Sequence, residues 1–298
     1  LSVSAQDDSS GPPLVSIVTP VLDGVRFVAR AIDSVLAQDY PNVEYVLVDG
    51  GSSDGTRDVA SAYGERVRTI VLQGSTQVQA LNAGFAAARG TIFGFLNADD
   101  AYEPGAVSAA VAALADAPDA PFVYGEADHV DESGAVLGPY PVEPYSPEAL
   151  AARCIVCQPA AFFRAGAFRR VGGFDPHLHY ALDYDLWIKL AALGTPVKFA
   201  SKIAVSRMHQ GNKTLGRRGA AYWETMEVLR RHFGYVPYDW VAAYAAHLSD
   251  GRDHFFQESR RSRLNVISSL AVGLYVNPHR VRYFRDWLAH RGFGNNRR

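Results

Sequence analysis

Strand-like apolar runs alternate with segments of helical period from residue 14 to residue 100, and this alternation constrains the fold more than any other feature. Leu14-Val15-Ser16-Ile17-Val18-Thr19-Pro20 reads as a strand, and behind it Val28, Ala31, Ile32, Val35 and Leu36 recur on one helical face. Val43 to Val48 is a second strand, followed by the glycine-rich turn Asp49-Gly50-Gly51-Ser52-Ser53-Asp54-Gly55-Thr56 and a helix to about Tyr63. Val67 to Leu72 makes a third strand, Ala80 to Arg89 a helix closed by Gly90, and Thr91 to Leu96 a fourth strand. Strands separated by helices predict an α/β fold with a mainly parallel central sheet, and in open sheets of this kind ligands gather at the carboxyl ends of the strands. Thr19, Asp49 and the pair Asp99-Asp100 all fall at such ends.

The run Phe95-Leu96-Asn97-Ala98-Asp99-Asp100 carries the chemistry. Two ionised carboxylates at adjacent positions repel each other unless a cation, a proton or hydrogen-bond donors compensate. A hard divalent ion such as Mg²⁺ or Mn²⁺, which takes one or two protein carboxylates together with substrate phosphate oxygens, suits that place. A solvated turn with a helix cap is the competing reading of Asp-Asp after a strand.

In this order the fragments resemble the family 2 glycosyltransferases, inverting nucleotide-sugar enzymes of GT-A (Rossmann-like) fold. The resemblance covers about residues 14 to 215. It runs through Thr19-Pro20, the segment Ser34 to Pro41, Val48 to Thr56, Ala80-Leu81-Asn82-Ala83-Gly84 and Leu96 to Asp100. Further on come Gly172-Gly173-Phe174-Asp175, Asp183-Tyr184-Asp185-Leu186-Trp187 and Arg207-Met208-His209-Gln210-Gly211-Asn212-Lys213-Thr214. The resemblance implies that Asp100 binds the metal, Asp99 holds the nucleotide ribose, and Thr19 and Asp49 line the nucleoside pocket. Gly50 and Gly51 would let the main chain approach a flat base, or simply make a tight turn. Many relatives carry two aspartates before the Gly-Ser of this motif; here Asp49 is followed by Gly50.

The family's catalytic carboxylate falls at Asp183, usually as the last residue of a Glu-Asp pair; here Leu182 replaces the Glu. Asp183 is expected at the start of a helix whose Leu186, Leu190 and Leu193 share one face, so a helix cap is the alternative role, and Asp185 is the substitute base. A carboxylate serves because an acceptor hydroxyl loses its proton only as the new bond forms. By the same resemblance His209 completes the metal shell or touches the diphosphate, and Arg207 and Lys213 neutralise diphosphate charge.

Other residues are less committed. Cys154 and Cys157 form a C-x-x-C with no second pair to complete a zinc site, and read as buried thiols. Gln158, His179 and Tyr180 face the acceptor or lie on the surface. Glu126 to Tyr140 reads as a hairpin turning at Ser133-Gly134, with Glu126, Asp128, Asp131 or Glu132 as donor-sugar contacts.

A chain of 298 residues, 48% hydrophobic and 20% charged, can bury a full α/β core. Few cysteines and a polar start at Leu1 without a signal peptide suggest a reducing cytosol, with residues 1–13 as a disordered lead. The net charge of −2 hides an uneven distribution: from Arg252 to Arg298 ten arginines face three acidic residues, a net of +7. The apolar stretch Val266 to Val276 is too short for the roughly 20 residues that span a bilayer. Basic residues beside an aromatic-rich apolar face suit a helix lying on an anionic membrane surface; packing on the core or a homodimer through these helices is the competing reading. No nucleic-acid module accompanies the charge.

The expectation is a GT-A catalytic domain over residues 14–215, with a nucleotide half (14–102) and an acceptor half (103–215), and a basic helical extension over 216–298. Its activity would be metal-dependent, inverting transfer of one sugar from a nucleotide-sugar donor, with UDP as the expected carrier, to a hydroxyl of a lipid-linked or polysaccharide-precursor glycan. The enzyme would be cytoplasmic, or peripheral on the inner face of the membrane. The alternatives are a nucleotidyltransferase, which would attack phosphorus, and a non-catalytic carbohydrate-binding protein of the same fold.

Overall fold

The computed structural model describes residues 11–209, 211–251 and 262–292. The expected lead before Gly11, Gln210 of the histidine loop, and the arginines at 252, 260, 261, 297 and 298 lie outside the described residues. The chain divides into two compact units. Unit 1 comprises the described residues up to Val142 together with Val156–Pro176 and Lys189–Met208; unit 2 comprises Glu143–Ile155, His177–Ile188 and the described residues from His209 onward.

Unit 1 holds the sheet. Its strands are β1 (Val15–Val21), β2 (Val43–Asp49), β3 (Arg68–Val71), β4 (Ile92–Phe95), β5 (Ala101–Tyr102), β6 (Phe122–Val130), β7 (Val136–Pro139), β8 (Ala161–Arg164) and β9 (Val197–Arg207). They pair in the order β3-β2-β1-β4-β8-β6-β9-β5, with β7 beside β6. The nucleotide half, β3-β2-β1-β4, is parallel throughout. Beyond β4 the sheet is mixed: β8 runs antiparallel to β4 and β6, β6 parallel to β9, and β5 antiparallel to β9. The mainly parallel sheet of the sequence reading thus describes the first half only, because the βαβ repeat stops at Asp100 and later strands return by a hairpin and by longer connections.

Every residue of β1 is buried, as expected of a strand covered on both faces. The helix α1 (Val28–Leu36) buries Val28, Ala31, Ile32 and Val35, the face read from the sequence. The helix after β2, α2 (Thr56–Ser61), is shorter than predicted and passes into a 3₁₀ turn at Gly64–Arg66. The next, α3 (Gln77–Ala87), starts earlier than predicted because Thr76 and Gln79 form a capping box, and Ala88 is already extended. Gly90 is therefore no cap: a Cβ there would come within 2.8 Å of the main chain of Leu14 and Ser16. Gly84 similarly lets α3 approach β1, since its Cβ would stand 2.4 Å from Val18. The remaining helices of unit 1 are α4 (Ala106–Asp116) and α6 (Ala165–Arg170). The predicted hairpin forms as β6 and β7, its turn fixed by Asp131 Oδ1, which accepts from the N–H groups of Ser133, Gly134 and Ala135. Cys157 is buried and Cys154 half-buried, both as free thiols.

Unit 2 is helical: α5 (Pro147–Ala152), the start of α7 (Leu182–Ala191), α8 (Lys213–Gly216), α9 (Arg218–Phe233), α10 (Tyr238–Asp250), α11 (Arg263–Val276) and α12 (Arg280–Gly292). The inner face of α12 locks onto α11 through Tyr283, whose hydroxyl donates to Ser269 O at 2.9 Å, and Trp287, whose indole N–H donates to Val266 O at 3.2 Å. Gly273 makes room for the Tyr283 ring, which a Cβ would overlap at 1.9 Å.

Candidate active site

In unit 1 the ends of β1 and β2 lie side by side, with Val21 paired to Asp49. Asp49, the last residue of β2, is fully buried; both its oxygens accept from Ser52 N–H, at 3.1 and 3.2 Å, and Oδ1 also accepts from the Ser52 hydroxyl. Asp54 stitches the loop after β1 to the loop after β2, accepting from Val25 N–H and Thr56 N–H at 2.9 Å each. Gly51 adopts φ +105°, so the tight-turn reading holds at this position. Thr19 lies inside β1, which continues to Val21, and not at its end; it is fully buried, and its hydroxyl accepts from Tyr45 at 3.0 Å.

Asp99 and Asp100 occupy the turn between β4 and β5. Asp100 is 4% exposed; Oδ1 accepts from Arg207 N–H at 2.9 Å and Oδ2 from Asn97 Nδ2 at 3.2 Å. Burial, and then the charge of Asp99, hold the Asp100 carboxyl well above the usual carboxylate range, against the opposing pull of Arg207 and Asn97. Asn97 is itself fixed, donating to Gln158 Oε1 at 2.7 Å and accepting from Gln77 Nε2 at 3.0 Å, while Gln158 donates to Phe95 O.

Arg207 ends β9 and is 1% exposed. Its Nε donates to Asp99 O at 2.9 Å, and its Nη1 to Asp131 O at 2.8 Å and Glu132 O at 3.2 Å. The guanidinium stands 5.3 Å from the Phe27 ring. This side chain, read from the sequence as a diphosphate contact, is engaged with the main chain around the aspartate turn.

Hard oxygen donors, a buried carboxylate and an adjacent like charge fit a divalent cation. Among the described residues no group of three or more His, Cys, Asp and Glu side chains is gathered to hold a metal unaided. Mg²⁺ sites, which rely on substrate phosphates and water, do not need such a cage.

In unit 2, α7 begins at Leu182, so Asp183 sits within the first turn and not before it. Its Oδ1 accepts from Tyr184 N–H at 2.8 Å. Burial first, with the charge of Glu224 adding, pushes its carboxyl up to about 6 against the Tyr184 N–H. Asp185 is 1% exposed and accepts from Arg231 at 2.9 Å, with His232 Nε2 at 2.7 Å. Buried and already paired with Arg231 and His232, Asp185 is a poor prospect as the substitute base. His209 donates its N–H to Asn212 Oδ1 at 2.5 Å, closing the loop before α8. Lys213 begins α8, its ammonium 5.6 Å from the Tyr180 ring.

Residues 16–170 match the family model described as glycosyl transferase family 2. The chain belongs to that family. An uncharacterized glycosyltransferase of Rickettsia felis is 34% identical over 222 residues, spanning 68% of this chain and 36% of that protein. One of Rickettsia prowazekii is 32% identical over 219 residues, 68% of this chain and 66% of the relative. The chondroitin synthase of Escherichia coli is 30% identical over 208 residues, 68% of this chain and 30% of the synthase. The chain therefore spans about a third of two of these relatives and about two thirds of the other. Among solved structures, S. aureus TarS 1-349 in complex with UDP-GlcNAc superposes with TM-score 0.63 at 15% identity, covering 96% of this chain and 93% of that one. The mannosyltransferase PcManGT of Pyrobaculum calidifontis, in complex with GDP-Man and Mn²⁺, gives 0.54 at 18% identity, covering 97% and 77%. The fold is that of the GT-A glycosyltransferases.

Some of the family 2 motif residues are structural. Asn82, in the Ala-Leu-Asn-Ala-Gly fragment, donates to Phe174 O at 2.9 Å and accepts from Phe174 N–H at 3.1 Å, tying two distant fragments together. Gln158, read from the sequence as facing the acceptor or lying on the surface, supports the aspartate turn. Glu126 and Asp128 pair with Lys198 and Lys202, and Glu132 with Arg26. Asn97 and Gln77 went unnoticed as site residues; Asn97 carries a local signal, an amide three residues before Asp100, whereas Gln77 carries none.

Proposed function

We propose that this protein is an inverting, metal-dependent glycosyltransferase that moves one sugar from a nucleotide-sugar donor, with UDP as the carrier, to a hydroxyl of a lipid-linked or polysaccharide-precursor glycan. The observation that carries this reading is the buried Asp100 carboxylate beside Asp99 in the turn that follows β4, within a family 2 chain. TarS with UDP-GlcNAc and the relation to chondroitin synthase support a UDP-linked donor. The family relationship favours sugar transfer over nucleotidyl transfer and over a non-catalytic role.

In this reading Asp49, Gly50 and the end of β1 near Thr19 cradle the nucleoside, and Asp99 holds the ribose. Asp100 and His209 are the protein ligands of Mn²⁺ or Mg²⁺, with Lys213 on the diphosphate. When bound, the cation would offset the negative charge that grows on the leaving diphosphate. Arg207 holds Asp99 and Asp100 in place instead of contacting the phosphates. Asp183 takes the proton of the acceptor hydroxyl as its oxygen bonds to the anomeric carbon; the bond from that carbon to the diphosphate oxygen breaks, and the configuration inverts.

The partner reading extends to the membrane. No described helix is long and apolar enough to cross one. On α12, Val281, Phe284 and Leu288 recur at helical spacing and are all exposed, and on α11 so are Leu264, Ile267 and Tyr275. The exposed Arg280, Arg282 and Arg285 accompany the α12 stripe. Apolar residues flanked by cations fit an anionic lipid surface, where the acceptor would be met.

Calorimetry with a panel of UDP- and GDP-sugars, with and without Mn²⁺, tests the donor and metal assignment. Binding of a UDP-sugar that requires the cation and is lost in Asp100→Ala is the expected result. Undiminished binding and turnover in excess chelator would overturn it.

A further inference from the structure

The loop that leads into α7 is held by one carboxylate. Glu224, on α9, accepts from His179 N–H through both oxygens, at 3.0 and 2.9 Å, and through Oε1 from Tyr180 N–H at 2.5 Å and Ala181 N–H at 2.7 Å. These three groups directly precede the first turn of α7, where N–H groups lack partners within the helix. A carboxylate is well matched to them, since it accepts several charge-assisted bonds while opposing the positive end of the helix dipole. Asp183 follows two residues after Ala181.

We propose that Glu224 is the positioning residue of the candidate base: it fixes the turn from which Asp183 projects and keeps a negative charge beside it. This rests on the reading of Asp183 as the base. A nearby anion makes proton uptake by Asp183 easier, in the direction that brings a carboxylate closer to neutral operating pH. The other charged groups around this turn act differently. Asp185, on the same helix, is matched by Arg231 and His232 from α9. Lys213, at the start of α8, lies against Tyr180 and feels the Glu224 charge. Glu224 thus joins the mechanical support of the turn to the proton affinity of its neighbour, which a neutral cap would not do.

Carbon-detected NMR of the full chain, with the Asp183 carboxyl assigned through Asp183→Asn, gives a readout that needs no substrate. In Glu224→Gln the Asp183 midpoint should move down from about 6, by a few tenths of a pH unit or more. The acid limb of turnover, with the donor selected by the calorimetric panel, should move with it. At its optimum, turnover should fall by about tenfold or more with donor KM unchanged. Glu224→Asp retains the charge but is one methylene too short to reach all three N–H groups. It should keep the midpoint closer to wild type while losing turnover. An unmoved Asp183 titration in Glu224→Gln, or full turnover in Glu224→Asp, would refute the inference. Should Glu224→Gln fail to fold, Glu224→Asp decides alone. If instead Asp183→Asn keeps its turnover, the base assignment falls, while the response of the Asp183 titration to Glu224→Gln is judged separately.

Discussion

Arg207 directs its guanidinium at three main-chain carbonyls, those of Asp99, Asp131 and Glu132. A lysine keeps the charge but cannot reproduce the planar fork, and each buried carbonyl left unsatisfied costs about 1–3 kcal/mol. Arg207→Lys should therefore lower the melting temperature and weaken cation-dependent nucleotide binding together. Weaker binding of UDP, with uridine binding and melting temperature unchanged, would instead make Arg207 a direct phosphate contact. Asp183 gives a pH-dependent expectation. A base must be ionised, so turnover should rise as pH passes through about 6, and Asp183→Asn should reduce it by about a hundredfold or more. The folded-state value lies above the roughly 3.9 of an unfolded aspartate, so the native state binds the extra proton between the two. The resulting stabilisation is fully present below about pH 4 and lost as pH rises through about 6. Thermal unfolding at neutral pH should consequently find Asp183→Asn no less stable than wild type.

At the scale of elements, α12 makes the membrane proposal specific to one face. Tyr283 and Trp287 are committed to α11, and Phe284 stacks on Trp287, so Val281→Ser and Leu288→Ser are the changes that fall on the outer stripe. Together with Arg285→Glu they should weaken sedimentation with phosphatidylglycerol vesicles, and wild-type binding should decline with salt as the Debye length shortens. Wild-type protein that ignores such vesicles at low salt, or that forms a dimer through this stripe, would refute the proposal. Strands β1, β2 and β4 were legible in the sequence because burial on both faces leaves little freedom in residue choice. The ends of α3 were not, because the capping box at Thr76 and Gln79 outweighed the apolar period on which the reading relied. The surroundings of the aspartate pair were equally hidden. The Arg207 N–H meets Asp100 across 107 residues and Gln158 meets Asn97 across 61, contacts set by strand pairing and by no local pattern. Gly84 and Gly273 likewise serve close approaches that reveal themselves only once the neighbouring element is in place.

At the scale of the whole molecule, both compact units are assembled from interleaved stretches of chain. The sequence reading separated a catalytic domain ending at residue 215 from an extension beginning at 216, whereas unit 2 joins His177–Ile188 to the chain after His209. The segment bearing Asp183 takes its support from Glu224, Arg231 and His232, all beyond that boundary. Removing both charge partners from the buried Asp185 should destabilise the fold by about 3–5 kcal/mol, read as a lower melting temperature. The dependence also sets an order in time. His179 is synthesised 45 residues ahead of the Glu224 that fixes it, whereas the strands of unit 1 are complete once Arg207 has been made. Domains fold as units while the chain emerges, so on the assignment proposed above the nucleotide cradle is finished before the base is secured. A chain terminated prematurely near Met208 would then carry the nucleoside cradle but lack His209, Lys213 and the support of Asp183, and would show no transferase activity.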